Sequence, residues 1–217
     1  MNAQPLYIQI YATYQLGPAC HMTHMDNVGN LLQAGELRSY NLMPAGSYRS
    51  LANEDVQAGR ATKIVPATGR PVHDYVPLYF GNRTPMVAVN EAQNADIVFI
   101  RFSLDLLAVG NVVITDGNAR SGPTQFRVFT QLRDLDLVDP KAINTVKYAG
   151  DPELKRKKQA EVLVPERLSL VYVYEFICYS EEARQRLLAI FGQYGKRFQI
   201  RVSPGSWYFR TPHQGST

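Results

Sequence analysis

The sequence predicts an α+β domain, in which strands and helices are interspersed irregularly along the chain. Strand patterns and one strongly amphipathic helix occur over 217 residues, but without the regular strand–helix–strand rhythm of a doubly wound parallel sheet. The length fits a single domain, residues 1–217, with a substantial core. A hydrophobic content of 45% with 19% charged residues is typical of a globular chain and excludes a disordered one.

The first quarter of the chain contains two strand patterns and two helix patterns. Side chains alternate in a strand-like way over residues 7–13 and 19–23. A helix is predicted over residues 26–35, with an aspartate as its N-cap and a glycine at its end. A second helix is predicted over residues 50–60, because a serine at its start supplies a capping hydroxyl.

Prolines shape the next part of the chain. Residues 66–71 contain a glycine and two prolines and are predicted to form a loop. The apolar and aromatic residues 76–80 include Pro77, which lacks an N–H, so a regular central strand is not predicted there. Residues 97–103 alternate cleanly and predict a strand that leaves Arg101 exposed or lining a cleft.

The second half of the chain yields three strands, a loop and a helix. Short strands are predicted over residues 111–115, 170–177 and 199–202 from their β-branched and aromatic content. Residues 116–123 are predicted to form a turn-rich loop. Residues 181–194 have the clearest amphipathic helical pattern in the chain.

One acidic residue lies at an abrupt change of composition. Four consecutive cations, residues 155–158, are followed by Glu161 and then by the β-branched run 162–164, which predicts the start of a buried strand. A carboxylate there is costly to bury unless it is used, so Glu161 is a candidate catalytic acid beside a cationic substrate track. Taken alone, the pattern also fits an ordinary solvated helix.

Histidine and threonine form a second candidate group. In a strand, His21 and Thr23 point to the same side, where they can hydrogen-bond a planar amide or a ribose. They also fit ordinary satisfied polar residues. A zinc site at His21 and His24 is not predicted, because no third ligand lies nearby.

Two further segments are candidate binding surfaces. The aromatic residues 73–80 precede Arg83 and suit either a stacking platform for a ring or a structural aromatic cluster. The polar turn 115–120 ends in Arg120 and suits either contact with an extruded base or a plain surface turn.

Several classes of protein find no support in the sequence. It contains no nucleophile elbow, phosphate-binding P-loop or dinucleotide-binding glycine motif. No apolar run is long enough for a transmembrane helix, and no secretory signal is visible, so no membrane partner is expected. Cys20 and Cys178 lack metal-type spacing and indicate free thiols in a reducing cytoplasm. The net charge of +4 permits a phosphate-bearing partner.

Taken together, several segments resemble the DarT family, bacterial toxins that ADP-ribosylate DNA bases. In chain order they are residues 21–27 (HMTHMDN), Arg60, residues 73–80 (HDYVPLYF) with 83–86 (RTPM), and residues 159–164 (QAEVLV). The 115–117 turn and the 207–208 tail also look like the family's, so the resemblance covers nearly the whole chain. It implies an ADP-ribosyltransferase fold of the diphtheria-toxin and PARP class, a split β-sheet with helices around an NAD⁺ cleft.

The resemblance also implies a role for each candidate residue. The catalytic residues are expected to be Glu161 and Arg60. The residues expected to bind NAD⁺ are His21, Thr23, Asn27 and Tyr79. The residues expected to contact DNA are Arg83, Met86, Asn118, Ala119, Arg120 and Lys158. NAD⁺ is expected as a co-substrate, and no metal is expected.

The implied reaction makes physical sense. Breaking the bond between nicotinamide and ribose develops positive charge at the anomeric carbon, which a carboxylate stabilises. A base modified at a ring nitrogen must be unpaired, so single-stranded DNA is the expected substrate. The cations before Glu161, with Arg120 and Arg127, are expected to follow its phosphates. The implied biological partner is a macrodomain antitoxin that removes the modification.

Two substitutions depart from the family pattern, and alternatives stay open. Leu78 stands in an aromatic run, and Thr84 stands where family members have serine. The family includes thymine-directed and guanine-directed branches, and the sequence leaves both open. Modification of RNA or protein, and a non-catalytic nucleic-acid-binding module, are the alternative functions.

Overall fold

An eight-stranded β-sheet is the central feature of the computed structural model, which describes residues 4–52, 54–82, 84–205 and 207–209. The strands are β1 (Ala19–His24), β2 (Glu36–Arg38), β3 (Ile64–Val65), β4 (Arg70–Pro71), β5 (Tyr75–Tyr79), β6 (Ile97–Phe102), β7 (Val113–Thr115), β8 (Phe126–Val128), β9 (Glu161–Pro165), β10 (Arg167–Ser169), β11 (Val173–Cys178) and β12 (Ile200–Val202). The α-helices are α1 (Leu6–Tyr14), α2 (Val28–Ala34), α3 (Glu54–Ala61), α4 (Pro85–Val89), α5 (Pro140–Asn144), α6 (Pro152–Lys157) and α7 (Glu181–Gln193). The predicted α+β class is confirmed.

The large sheet consists of two halves that are barely joined. Its strand order is β12-β11-β6-β1-β5-β9-β7-β8, and β2–β10 and β3–β4 form separate small hairpins. Strand β1 pairs along its whole length with β6, and β5 pairs along its whole length with β9. Between β1 and β5, however, the ladder is reduced to the one pair Cys20–Tyr79. The two strands diverge beyond that pair, which gives the split sheet that the family resemblance implies.

Pro77 lies in the central strand β5, so the prediction that its proline excludes a strand here was wrong. Pro77 is paired with Leu163 of β9, and its carbonyl accepts a hydrogen bond from the His21 ring on the β1 side. The nitrogen and carbonyl of a strand residue point to the same side. The missing N–H of Pro77 therefore points into the split, where β1 offers no ladder partner, and no backbone hydrogen bond is lost.

Three helices cover one face of the sheet. Ile10 of α1, Leu32 of α2 and Leu187 of α7 belong to one buried cluster with sheet residues such as Ile100 and Val162. The alternation of side chains along β6 and β9 directs these residues to the same face. This face carries the main hydrophobic core and leaves the opposite face for the site.

The opposite face is covered on one half by Tyr208 and Phe209. Phe99 of β6 contacts the rings of Tyr208 and Phe209, with centroid separations of 5.6 and 5.1 Å. Met22 and Ile177 belong to the same cluster. The other half of this face carries the polar residues described below.

The first strand prediction, over residues 7–13, was wrong, because these residues lie in α1. Leu6, Ile10 and Tyr14 are spaced four apart and pack on the core, which is a helical period. Gln15 ends the helix in a left-handed conformation with φ 55°. The apparent alternation came from exposed tyrosines beside isoleucines.

Residue 26 does not cap the following helix as predicted. Asp26 lies inside a single 3₁₀ turn, residues 25–27, and its N–H is hydrogen-bonded to Nδ1 of His24. The helix end at Gly35 is confirmed, since its φ of 71° requires the left-handed region.

The remaining differences concern element boundaries. Helix α3 begins at Glu54, later than residue 50, and β11 begins at Val173 because residues 170–172 form a 3₁₀ turn. Strand β4 extends into the loop predicted over residues 66–71, and β8 was not predicted. Helix α7 and strands β1, β6 and β12 lie where the sequence predicts them, within about two residues.

Candidate active site

Glu161, the first residue of β9, is fully buried and forms a bidentate ion pair with Arg60. Arg60 Nη1 lies 3.1 Å from Glu161 Oε1, and Nη2 lies 3.0 Å from Oε2. The backbone N–H of Ala119 donates a third hydrogen bond to Oε1 at 2.8 Å. Charge-assisted bonds of this kind fix a carboxylate in one orientation. The sequence-predicted catalytic pair is therefore brought together across 101 positions of sequence.

A polar turn also holds the backbone of Glu161. Its N–H donates to Oγ1 of Thr115 at 2.8 Å, and the Thr115 hydroxyl donates to the carbonyl of Gly117 at 2.6 Å. Thr115 is buried at the end of β7. The turn after β7 therefore contacts both the main chain and the side chain of the acid.

Arg60 occupies the last turn of the short helix α3. Burial disfavours its charge, but the adjacent Glu161 carboxylate outweighs burial and raises the pKa of the guanidinium above its ordinary value. A guanidinium matches both oxygens of a carboxylate, which an ammonium cannot do. Arg60 is thus a charged group held beside the acid.

Tyr79 is the direct partner of Glu161 in the β5–β9 ladder, so the two side chains lie on the same face of the sheet. Burial, and then the Glu161 carboxylate, raise the pKa of the Tyr79 phenol above its usual range, with Arg60 acting in the opposite direction. The phenol is therefore neutral near pH 7 and presents an aromatic ring beside the acid.

His21 lies where the two halves of the sheet separate. Its Nδ1 is 3.0 Å from the carbonyl oxygen of Pro77, which can only accept, so Nδ1 carries the proton and Nε2 is left as an acceptor. Burial lowers the pKa of His21, although the bond to Pro77 opposes this. A neutral imidazole with a defined tautomer therefore faces the split.

Thr23 and Asn27 form a tether on the same side of the split. Nδ2 of Asn27 donates to Oγ1 of Thr23 at 3.0 Å and to the carbonyl of Arg49 at 2.9 Å. The N–H of Arg49 donates back to Oδ1 of Asn27 at 2.7 Å. One amide thus holds the segment at residue 49 against the end of β1.

His73 supports the site in a role that the sequence did not predict. Its ring stacks on Tyr40 with a centroid separation of 4.1 Å, and Nε2 lies 3.1 Å from Oε1 of Gln57. Burial, and then the charge of Arg60, lower the pKa of His73. Gln57 precedes Arg60 by three residues in α3, so this contact braces the helix that carries Arg60. The only sequence signal was the aromatic context of His73.

The turn predicted to contact DNA lies against the acid and α3. Ala119 is fully buried, so its contribution is the N–H on Glu161 and not its side chain. Asn118 donates to Oε1 of Gln159 at 2.8 Å. Arg120 is exposed, and its side chain lies so close to Gly59 that a Cβ there would approach its Nε to 2.5 Å.

The four cations before Glu161 do not form one solvated track, so that part of the prediction was wrong. Arg156 and Lys158 are buried, because their charged groups point into the protein. The Lys158 amine donates to the carbonyls of Ile143 and Thr145 at 3.0 and 2.5 Å. The Lys158 amine, predicted to contact DNA, is thus bonded inside the protein and directed away from solvent.

One of the remaining predicted DNA contacts lies beside the cluster that contains Phe99, Tyr208 and Phe209. Met86 in α4 is half-buried against that cluster. Arg83 lies outside the described residues. Trp207 is exposed, whereas the adjacent Tyr208 and Phe209 are buried.

No group of three or more metal-ligating side chains occurs among the described residues. None of the helices in the described ranges is long and apolar enough to cross a bilayer.

A split sheet that carries a neutral histidine on one half, and a tyrosine and an arginine-paired glutamate on the other, is the arrangement that the family resemblance implies for an ADP-ribosyltransferase. The chain belongs to the DarT family, since the family model described as "ssDNA thymidine ADP-ribosyltransferase, DarT" matches residues 20–209. The resemblance drawn from the sequence is thereby confirmed.

Two relatives illustrate the match. A DNA ADP-ribosyl transferase of Thermus sp. strain 2.9 is 32% identical over 203 residues, which cover 88% of this chain and 96% of the relative. The structure of Thermus sp. 2.9 DarT in complex with ADP-ribosylated ssDNA has a TM-score of 0.82 at 30% identity and covers 90% of this chain and 97% of its own. The same protein in complex with NAD⁺ gives 0.79 at 29% identity, with 90% and 98% covered.

The second relative, from another organism, is longer than this chain. It is a fusion protein of Thermosipho africanus, named as a DNA ADP-ribosyl transferase joined to a DNA ADP-ribosyl glycohydrolase. It is 24% identical over 158 residues, which cover 70% of this chain and 40% of the fusion.

Proposed function

We propose that this protein transfers ADP-ribose from NAD⁺ to the thymine base of a thymidine in single-stranded DNA. The observation that carries the proposal is the Glu161 carboxylate, held by Arg60 and by the Ala119 N–H on the cleft side of a split sheet. Membership of the DarT family supports the substrate class, and the description of its model supports thymidine over guanine. We also propose a single domain over residues 1–217, which is supported by the one buried cluster that joins α1, α2 and α7 to both halves of the sheet.

The proposed reaction exchanges one glycosidic bond for another. The bond between nicotinamide and the ribose breaks, nicotinamide leaves with the bonding electrons, and a ring nitrogen of the base bonds to the anomeric carbon. Positive charge develops on the ribose in the transition state, and the fixed Glu161 carboxylate stabilises it. The proton displaced from the base passes to a general base, for which the Glu161 carboxylate is our candidate.

The proposed NAD⁺ contacts follow from the protonation and the hydrogen bonds of each side chain. The free Nε2 of His21 accepts a hydrogen bond from a ribose hydroxyl or an amide. The Thr23 hydroxyl, already fixed by Asn27, still has its own proton to donate. The neutral ring of Tyr79 packs against the nicotinamide end.

On the DNA side, the exposed face of the turn after β7 is the proposed contact. Arg120 is exposed beside the helix that carries Arg60, so it can reach a phosphate near the acid. Asn118, in the same turn as Arg120, and Met86, in α4, are the other proposed contacts. We assign Lys158 to internal hydrogen bonds and leave it out of this surface.

We also propose that the protein acts as a toxin whose product is removed by a macrodomain antitoxin with glycohydrolase activity. The Thermosipho fusion supports this pairing, because one chain there is named for both the transfer and its removal. Treatment of the modified oligonucleotide with such a glycohydrolase should restore the original mass.

The substrate class is tested with matched oligonucleotides and NAD⁺. Single-stranded DNA should gain the mass of one ADP-ribose, whereas the same sequence as a duplex or as RNA should not. Replacing every thymidine by cytidine should abolish the gain. Modification of RNA or protein in preference to DNA, or of guanine, would contradict the proposal. NAD⁺ should also raise the melting temperature, but stabilisation without any transfer would indicate a non-catalytic module.

A further inference from the structure

Arg156 is a buried cation in the middle of the run before Glu161, with 8% of its surface exposed. Its guanidinium forms two hydrogen bonds to Asp116, at 2.8 and 2.9 Å, and two to Glu153, at 2.7 and 2.6 Å. A further bond of 3.3 Å reaches Oγ1 of Thr124. The donor positions of the fork are thus all occupied by acceptors of the protein itself, of which Glu153 is exposed and Asp116 is largely buried.

The turn after β7 rests directly on Arg156. The N–H of Asn118 donates to the carbonyl of Arg156 at 3.1 Å. A Cβ at Gly117 would overlap with Nη1 of Arg156 and would lie 3.0 Å from its carbonyl oxygen. Any side chain at residue 117 would therefore push the turn away from the arginine.

The opposite side of the same turn holds the proposed catalytic acid. Ala119 donates its N–H to the carboxylate of Glu161, and Thr115 accepts the N–H of Glu161. Residues 115–119 thus lie between Arg156 on one side and Glu161 on the other. A displacement of the turn by about 1 Å would break the hydrogen bond from the Ala119 N–H to Oε1 of Glu161.

We propose that Arg156 is a positioning residue, which sets the orientation of Glu161 through the turn 115–119. This inference rests on the proposed transfer reaction, in which the Glu161 carboxylate must meet the developing charge. Arg156 does not touch the acid. It acts by fixing the backbone that donates to it.

A role for Arg156 as a phosphate contact is disfavoured by its surroundings. The +1 charge of Arg156 is surrounded by the −2 charge of Asp116 and Glu153, which leaves a local charge of −1. A phosphate would meet two carboxylates before it met the guanidinium. The planar fork also has a specific use here, because it bridges two carboxylates in fixed geometry and an ammonium cannot.

The test compares Arg156→Lys with a matched control, Arg184→Lys. Arg184 also pairs with a glutamate three residues earlier, but on the exposed face of α7 far along the chain. We expect Arg156→Lys to lower kcat for transfer to single-stranded DNA about 10- to 100-fold, the usual cost of misplacing a reacting group by about 1 Å. The KM for NAD⁺ and the salt dependence of the KM for DNA should not change, and Arg184→Lys should keep the wild-type kcat.

A second measurement separates this inference from the proposed function. Amide hydrogen exchange of the peptide over residues 115–121 should accelerate in Arg156→Lys and not in Arg184→Lys, whether or not the protein transfers ADP-ribose. Asp116→Asn, which weakens the same contact from the other side, should lower kcat in the same direction. The double variant should cost no more than the larger single change, because the two residues act as one unit.

Three results would overturn the inference. One is unchanged exchange in the 115–121 peptide of Arg156→Lys. Another is an unchanged kcat with a raised KM for DNA and a shallower salt dependence, which would make Arg156 a phosphate contact. The third is full additivity of Arg156→Lys and Asp116→Asn. Failure of the wild-type protein to transfer ADP-ribose would instead contradict the proposed function, and the exchange data would still decide the positioning.

Discussion

Tyr79 and Glu161 are direct partners across β5 and β9, and Tyr79 is also the one residue of β5 paired with β1, through Cys20. The proposed catalytic acid therefore lies one strand away from the split in the sheet. Tyr79, at the point where β5 still pairs with β1, and His21, on β1, border the split from opposite strands. Glu161 itself is anchored away from the opening, by β9 and by the turn after β7.

The Glu161–Arg60 pair should be strongly coupled in stability. Glu161→Ala leaves a buried guanidinium without its carboxylate, and we expect a loss of about 3 kcal/mol or more in the free energy of unfolding. The double variant Arg60→Ala/Glu161→Ala should lose less than the sum of the two single variants, because neither charge remains unpaired. Urea denaturation of the four proteins measures this. Additive losses would mean that the pair contributes no mutual stabilisation.

The pH dependence of stability should contain a contribution from His21. Burial lowers its pKa, so the unfolded chain binds a proton more readily than the folded protein does. The stability due to the neutral ring is fully present above about pH 6.5, the ordinary value for histidine, and is lost as the pH falls through the lower folded pKa. His21→Asn retains a donor for the Pro77 carbonyl and should flatten the plot of melting temperature against pH below about pH 6.5. An unchanged slope in that range would show that His21 is protonated equally in both states.

The tether at Asn27 should govern NAD⁺ binding. Asn27→Asp keeps the acceptor for the Arg49 N–H but removes both donated bonds, to Thr23 and to the Arg49 carbonyl. We expect the KM for NAD⁺ to rise about 3- to 10-fold, which corresponds to the loss of one net hydrogen bond. Asn30→Asp is the matched control, because Asn30 donates to the Ser47 carbonyl from an exposed position outside the cleft. Equal effects of the two changes on KM would argue against a specific role for Asn27.

Lys158 should matter for stability and not for DNA. Its amine donates to two buried carbonyls, so Lys158→Met should lower the free energy of unfolding by about 1–3 kcal/mol. The slope of DNA affinity against salt concentration should stay at the wild-type value, since no phosphate contact is removed. Lys155→Met, a change at an exposed position, provides the comparison for stability. A shallower salt slope in Lys158→Met would restore the sequence-based expectation that this lysine contacts DNA.

The sequence predicted the acid better than it predicted the surroundings of the acid. The change from cations to β-branched residues marked Glu161 as the mouth of a buried strand, and the structure places it there. Arg60 carries no local signal of its own, because its partner lies 101 residues away, and only the family resemblance singled it out. The brace formed by His73, Gln57 and Tyr40 joins three separate segments, and the aromatic context of His73 was its only sequence signal.

The failures have physical reasons that a local pattern does not contain. A run of cations is normally solvated, but Arg156 and Lys158 find buried acceptors on segments far along the chain. Proline normally excludes a central strand, but Pro77 directs its missing donor into the split. In both cases the tertiary structure changes the surroundings that the local rule assumes. Protein acceptors take the place of water around the two cations, and the split means that no neighbouring strand needs the missing N–H of Pro77.

The central claim is that the Glu161 carboxylate carries the transfer of ADP-ribose to single-stranded DNA. The most direct test compares wild type with Glu161→Gln, which keeps an acceptor oxygen for the Ala119 N–H but loses the charge. Both proteins are incubated with NAD⁺ and a thymidine-containing single-stranded oligonucleotide, and the rate of mass gain is measured. We predict that wild type adds one ADP-ribose and that the variant is slower by about 100-fold or more. Equal rates for the two proteins would contradict the account.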